Sequence, residues 1–119
     1  MNPEDFFKER KAYVWNETFA VVKSKRSYEN AFANISDKNE LTVIIEQDKI
    51  NQKDIIEIEK NWKIITFDMV LPFELVGFLA EISQKLAEEN ISIFAISAFS
   101  TDHILVKEKE IEKTIDKHK

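Results

Sequence analysis

The sequence predicts an α+β protein built on an antiparallel sheet, and three observations in its second half predict it. Asn61–Leu71, NWKIITFDMVL, is rich in β-branched and aromatic residues and holds neither glycine nor proline, the composition of a strand buried on both faces. Beyond Pro72, the residues Leu75, Val76, Phe78, Leu79, Ile82 and Leu86 recur at three- and four-residue spacings, with Glu74, Glu81, Lys85 and Glu88 on the other side, the stripe of an amphipathic helix. Two short β-type runs, Ile91–Ser97 and His103–Lys107, then bracket a turn, and a last helix-type segment follows. The order is β-α-β-β-α.

Taken from the start of the chain, AYVW (Ala12–Trp15), TFAVVK (Thr18–Lys23) and LTVIIE (Leu41–Glu46) have strand composition, whereas NQKDIIEIEK (Asn51–Lys60) reads as more helix-like through Ile55 and Ile58. Pro72 stops the strand before it and suits the first turn of a helix, where its missing N–H would have had no partner, so the helix is predicted to begin at Pro72 or Phe73. Inside that helix stands Gly77, the only glycine of the chain, at a cost of about 1 kcal/mol relative to alanine. Asn90 is placed to close the helix in the left-handed conformation. Ser100, Thr101 and Asp102 shape a turn by bonding nearby backbone. In the last segment Ile111 and Ile115 lie one turn apart, acids come early and lysines late, an order that complements the helix dipole.

This second half is one strand short of the split βαβ pattern, βαββαβ, called ferredoxin-like. A sheet without its closing strand exposes an edge that natural proteins rarely leave bare, so the first half must supply it. The predicted organisation is therefore two units in tandem, a degenerate copy in residues 1–60 and the fuller one in residues 61–119, with helices on one face of each sheet and strands exchanged or paired between the halves. No Gly- or Ser-rich linker separates them.

Composition narrows the function. The 119 residues are 44% apolar, enough for a core, and carry a net charge of −5. Residues 1–60 hold 10 basic and 12 acidic side chains and residues 61–119 hold 7 and 10, so neither half offers the basic face a nucleic-acid binder needs. The best basic cluster, KSKRS at Lys23–Ser27, reads as a solvated loop. The start, MNPEDFFKER, carries acids where a signal peptide carries bases, and no apolar run spans a bilayer, which points to a cytoplasmic protein without a membrane partner. The absence of cysteine excludes disulfides, thiolate metal sites and cysteine nucleophiles. No metal-ligand spacing, phosphate-binding glycine loop or nucleophile elbow occurs, so neither catalytic residues nor a cofactor is predicted. Asp102 and His103 are adjacent in a strand and point to opposite faces, a poor acid/base pair, and His103 reads as a half-buried strand residue. Asp68 reads as an edge or turn carboxylate, and Phe94 and Phe99 as core or interface residues.

The stretch from Leu71, with LVGFLA at Leu75–Ala80, ISIFAIS at Ile91–Ser97, and Thr101 and Asp102 followed by ILVK at Ile104–Lys107, resembles the ACT-domain superfamily, the ligand-binding modules that regulate amino-acid metabolism. It is most similar to the short tandem-ACT branch related to the aspartate kinase regulatory region and the cytosolic arginine sensor. In the first half NELTVII (Asn39–Ile45) and TFAVVK are similar to elements of that branch. The resemblance implies a non-enzymatic regulatory protein that binds a small molecule, an amino acid, and associates as a homodimer. The implied site comprises Leu71, Phe73, Val76 and Gly77 at the start of the helix with Phe99, Ser100, Thr101 and Asp102 at the turn. There the lack of a side chain at Gly77 lets ligand or backbone approach, the helix start favours a carboxylate, and Asp102 favours an ammonium. Ala98 stands where the branch has Thr and His103 where it has Tyr. The alternative is a structural ACT-type dimerisation or interaction module with no ligand.

Overall fold

In the computed structural model, residues 12–68 and 78–116 are described. Seven strands occur among them: β1 (Ala12–Val14), β2 (Phe19–Ser24), β3 (Ala33–Ser36), β4 (Leu41–Glu46), β5 (Ile55–Phe67), β6 (Ile93–Ser97) and β7 (Asp102–Lys107). Two helices accompany them, α1 described from Phe78 to Glu88 and α2 at Ile111–Asp116, with single 3-10 turns at Gln52–Asp54 and Glu108–Glu110. The chain divides into two compact units, Met1–Asn16 with Lys63–Lys119, and Glu17–Trp62.

In the first of these units the strand order is β1-β5-β7-β6. β1 pairs antiparallel with the end of β5, Ala12 opposite Phe67 and Val14 opposite Ile65, so residues from the opening of the chain cover the edge that the β-α-β-β-α segment leaves. β6 and β7 form a hairpin with Ile93 opposite Val106 and Ser97 opposite Asp102. One face of this sheet carries Ala12, Ile65, Phe67, Ile104 and Val106, and α1 packs Ile82 and Leu86 onto it. Those two, with Leu79, belong to the stripe seen in the sequence; Leu75 and Val76 lie outside the described residues, as does the side chain of Phe78.

The C-terminus of α1 is explained by one residue. Asn90 has φ 61°, its N–H reaches Ala87 O at 2.9 Å, and the N–H of Ile91 reaches Leu86 O at 2.9 Å. These two bonds satisfy carbonyls the helix leaves open, and Ile91 and Leu86 join the same apolar cluster. Alanine disfavours this left-handed backbone. Asn90→Ala is therefore expected to cost about 1 kcal/mol and Asn90→Gly little or nothing, read as midpoints of urea unfolding.

In the Glu17–Trp62 unit the order is β3-β4-β2-β5. Ala20, Val22, Val43 and Ile45 form a core with Tyr28, against which Ile50, Ile55 and Ile58 pack. Among the described residues no α-helix covers this core; Tyr28 and Ala31 of the loop after β2 and Ile50 of the turn after β4 pack there instead. Here the sequence expectation for Asn51–Lys60 is corrected: Ile55 begins a strand. Ser24 pairs with Ile55 but Lys23 with Glu57, so Ile56 is an extra, exposed residue. That bulge turns Ile55 and Ile58 to the same side, and their three-residue spacing imitates a helix. A second irregularity lies between Glu59 and Trp62, where Asn61 takes φ 68° and its N–H is held by Gln47 Oε1 at 2.8 Å.

Candidate functional site

The β6–β7 hairpin positions the described part of the predicted site. The N–H of Ala98 donates to Thr101 O at 2.8 Å, closing a tip at Phe99 and Ser100. Phe99 is fully exposed and Phe94 is 41% exposed, so neither is a core residue, contrary to that part of the sequence expectation. Leu71, Phe73, Val76 and Gly77 lie outside the described residues.

Strand alternation separates the two polar groups of the Thr-Asp step. Asp102 shares its side of β7 with Ile104 and Val106, and so lies on the face onto which α1 packs. Thr101 and His103 share the other face, where Thr101 Oγ1 lies 2.9 Å from His103 Nε2. The hairpin thus brings Phe99, Ser100, Thr101 and Asp102 into one short segment but sends the Thr101 hydroxyl and the Asp102 carboxylate apart. Because Thr66 Oγ1 lies 2.8 Å from His103 Nδ1, the start of β7 is beside the end of β5, and Asp102 stands at the end of the sheet where β5 finishes.

The face opposite α1 holds a polar chain that the sequence reading missed. Trp15 Nε1 donates to Thr66 Oγ1 at 2.7 Å, and His103 lies between Thr66 and Thr101. An indole can only donate, so Thr66 is free to turn its own proton toward Nδ1, leaving Nε2–H to donate to Thr101. His103 is buried rather than half-buried, at 8% exposure. Burial holds its imidazole below the ordinary 6.5, partly opposed by the charge of Asp102. The unfolded chain then takes up a proton as pH falls through 6.5 while the folded chain does not, so stability contributed by neutral His103 is present above that value and lost below it. Melting temperatures of wild type and His103→Gln are expected to converge as pH drops from about 8 to about 5.5.

The Glu17–Trp62 unit has a second polar network, also unforeseen. Asp54 is only 7% exposed, and its Oδ2 accepts from the Tyr28 hydroxyl and from Arg26 Nε at 2.9 Å. The Tyr28 bond, against the opposing effect of burial, and then the Arg26 charge hold this carboxyl below 3.8. The N–H of Lys25 reaches Asp54 O at 2.8 Å, and Ser24 Oγ donates to Arg26 O at 2.7 Å. The KSKRS segment is thus only partly a solvated loop: Lys23 and Ser24 are in β2 and Arg26 is tied down. The sole signal in the sequence was an isolated Tyr between polar residues. Among the described residues no group of His, Cys, Asp or Glu is arranged to hold a metal ion, and no helix is long and apolar enough to cross a membrane.

Solved structures share this fold. A protein of Agrobacterium tumefaciens superposes with a TM-score of 0.73 at 23% identity, covering 88% of this chain and 83% of that one. A Vibrio cholerae protein of unknown function gives 0.73 at 21% identity with the same coverages. The aspartate kinase of Clostridium acetobutylicum, an allosteric enzyme, gives 0.68 at 15% identity, covering 87% of this chain and 32% of that one. No curated protein sequence matches. The family profile for the ACT domain matches residues 57–117, which take in α1, the β6–β7 hairpin and most of β5. With half of its length matched in this way and an antiparallel sheet bearing two helices, the chain belongs to the ACT domain family.

Proposed function

We propose that the chain is a non-enzymatic regulatory ACT protein whose occupancy by a small molecule, an amino acid, changes how its ACT units associate. One observation carries the reading: Asp102 stands half-buried on the α1 face at the end of the sheet where β5 finishes, beside the point from which the chain runs toward Gly77. A carboxylate placed there suits an ammonium group, and Leu71, Phe73, Val76 and Gly77 would complete the niche with the backbone of Phe99, Ser100 and Thr101. The Thr101 hydroxyl is assigned no ligand contact, because it is turned to His103.

The tandem arrangement has support from strand order. In the Glu17–Trp62 unit, β2, β3, β4 and β5 stand as second-third-first-fourth across the sheet. In the other unit β5, β6, β7 and β1 stand in the same order, with β1 as the fourth strand. Two copies of one unit, the earlier lacking helices and the first half lending its opening strand to the later, account for both. A homodimer in the cytoplasm completes the proposal.

Calorimetry of the full chain against the proteinogenic amino acids tests it. Saturable heat from at least one, reduced at least about tenfold by Asp102→Ala, is the expected result. A chain that dimerises in sedimentation yet gives no heat at millimolar amino acid favours the structural-module alternative.

A further inference from the structure

We propose that the Glu17–Trp62 unit carries a second small-molecule site, a cleft of about 510 Å³ lined by Arg26, Tyr28, Glu29, Asn30 and Lys49, which takes a carboxylate-bearing molecule with an adjacent amine. The size suits a small metabolite. Its residues are separate from the hairpin around Asp102, so either site stands or falls without the other.

The cleft is built before any ligand arrives. Arg26 is held by Asp54 through Nε, by Ser27 O at 3.1 Å through Nη1, and by its guanidinium carbon lying 3.9 Å over the Tyr28 ring. Tyr28 in turn accepts the N–H of Asn51 at 3.0 Å on its hydroxyl, and its own N–H is fixed by Asn34 Oδ1 at 2.9 Å. A guanidinium has five N–H donors, and these bonds engage only two, leaving the others to meet a carboxylate in a fixed plane. An arginine immobilised in this way has already given up the side-chain entropy that binding would otherwise cost.

Lys49 adds a second cation from the turn after β4, where Glu46 accepts from it at 2.9 Å. Both cations are already paired, Arg26 with Asp54 and Lys49 with Glu46, so the cleft carries no net positive charge and offers N–H donors that those pairs do not use. Glu29 and Asn30 supply acceptors beside the two cations. A phosphate dianion would meet repulsion from Glu29, whereas a zwitterion places its carboxylate on Arg26 and Lys49 and its ammonium on Glu29. Pinning of the loop by Asp54 explains the inner bonds of Arg26, but it does not account for the outward donors or for Lys49 in the same cleft.

Nitrogen-proton correlation spectra of the full chain, titrated with L-glutamate, glutarate and inorganic phosphate in turn, test the proposal. L-glutamate is expected to shift the amides of residues 26–30 and 48–50 at millimolar concentration or below, and glutarate and phosphate to bind at least about fivefold more weakly. Arg26→Gln and Lys49→Gln should each weaken the response about fivefold or more; Lys49 is exposed, so its replacement leaves the fold intact. Absence of shifts in this segment with all three probes, a Lys49→Gln response equal to wild type, or phosphate binding as tightly as L-glutamate would each overturn the proposal. Shifts confined to residues 97–104 would overturn it too, while supporting the hairpin site.

Discussion

Phe67→Ala is expected to destabilise the protein by about 3–5 kcal/mol, enough to remove much of the roughly 5–15 kcal/mol that holds a domain of this size folded. Phe67 is 1% exposed and sits where three elements meet: its own strand, β1 through the opposite residue Ala12, and the face covered by Ile82 and Leu86 of α1. Truncation leaves a cavity that rigid strands on either side cannot close, so a cavity penalty adds to the lost burial. Chemical denaturation of the two proteins reads the difference directly. Phe99→Ala provides the contrast. The same chemical change at a fully exposed hairpin tip should move stability by no more than about 0.5 kcal/mol.

Thr66→Val should cost about 1–3 kcal/mol although it barely alters volume. The hydroxyl it removes accepts from Trp15 Nε1 and faces His103 Nδ1, and Thr66 and His103 are buried where water cannot stand in for the lost partner. Thr66→Ser, which keeps the hydroxyl and loses a methyl, should retain more of the stability. A valine variant as stable as wild type would show that the chain Trp15–Thr66–His103 contributes no net stabilisation.

How much of this was legible in the sequence varies with the physical source of each feature. β4 was readable to the residue, and β2, β6 and β7 nearly so, because each is a short run dense in β-branched and other apolar residues, the composition of a strand set into a core. Asn90 was readable because few residue types tolerate its backbone. The need for an extra strand followed from a count of strands against the fold pattern, and β1 pairing with β5 meets it. β3 was not seen: Ala33–Ser36 is a short strand with one large apolar residue, and all of it but Ala33 is exposed, so no burial pattern marks it. β5 was misread over Ile55–Lys60 because a bulge sets Ile55 and Ile58 at a helix-like spacing, and a bulge depends on the partner strand rather than on local propensity.

The site was legible in a different manner. Asp102 and the hairpin were singled out by resemblance, and Asp102 stands at the end of the sheet where β5 finishes. The opposed directions of Thr101 and Asp102 follow from strand alternation, which a motif read as a string does not display. The Arg26–Tyr28–Asp54 network joins residues 26 and 28 apart in sequence from Asp54, and only the folded unit brings them together.

The central claim is that a side-chain-free position at Gly77 and the carboxylate of Asp102 enclose a niche for a free amino acid. Calorimetry on wild type, Gly77→Ala and Asp102→Ala, each checked by thermal melting, tests it most directly. The account predicts saturable amino-acid binding by wild type and its loss in both variants, with Gly77→Ala melting no lower than wild type because alanine favours the helix that the sequence predicts there by about 1 kcal/mol. Binding by Gly77→Ala equal to wild type, or a Gly77→Ala protein that unfolds because the position only serves close packing, would contradict it.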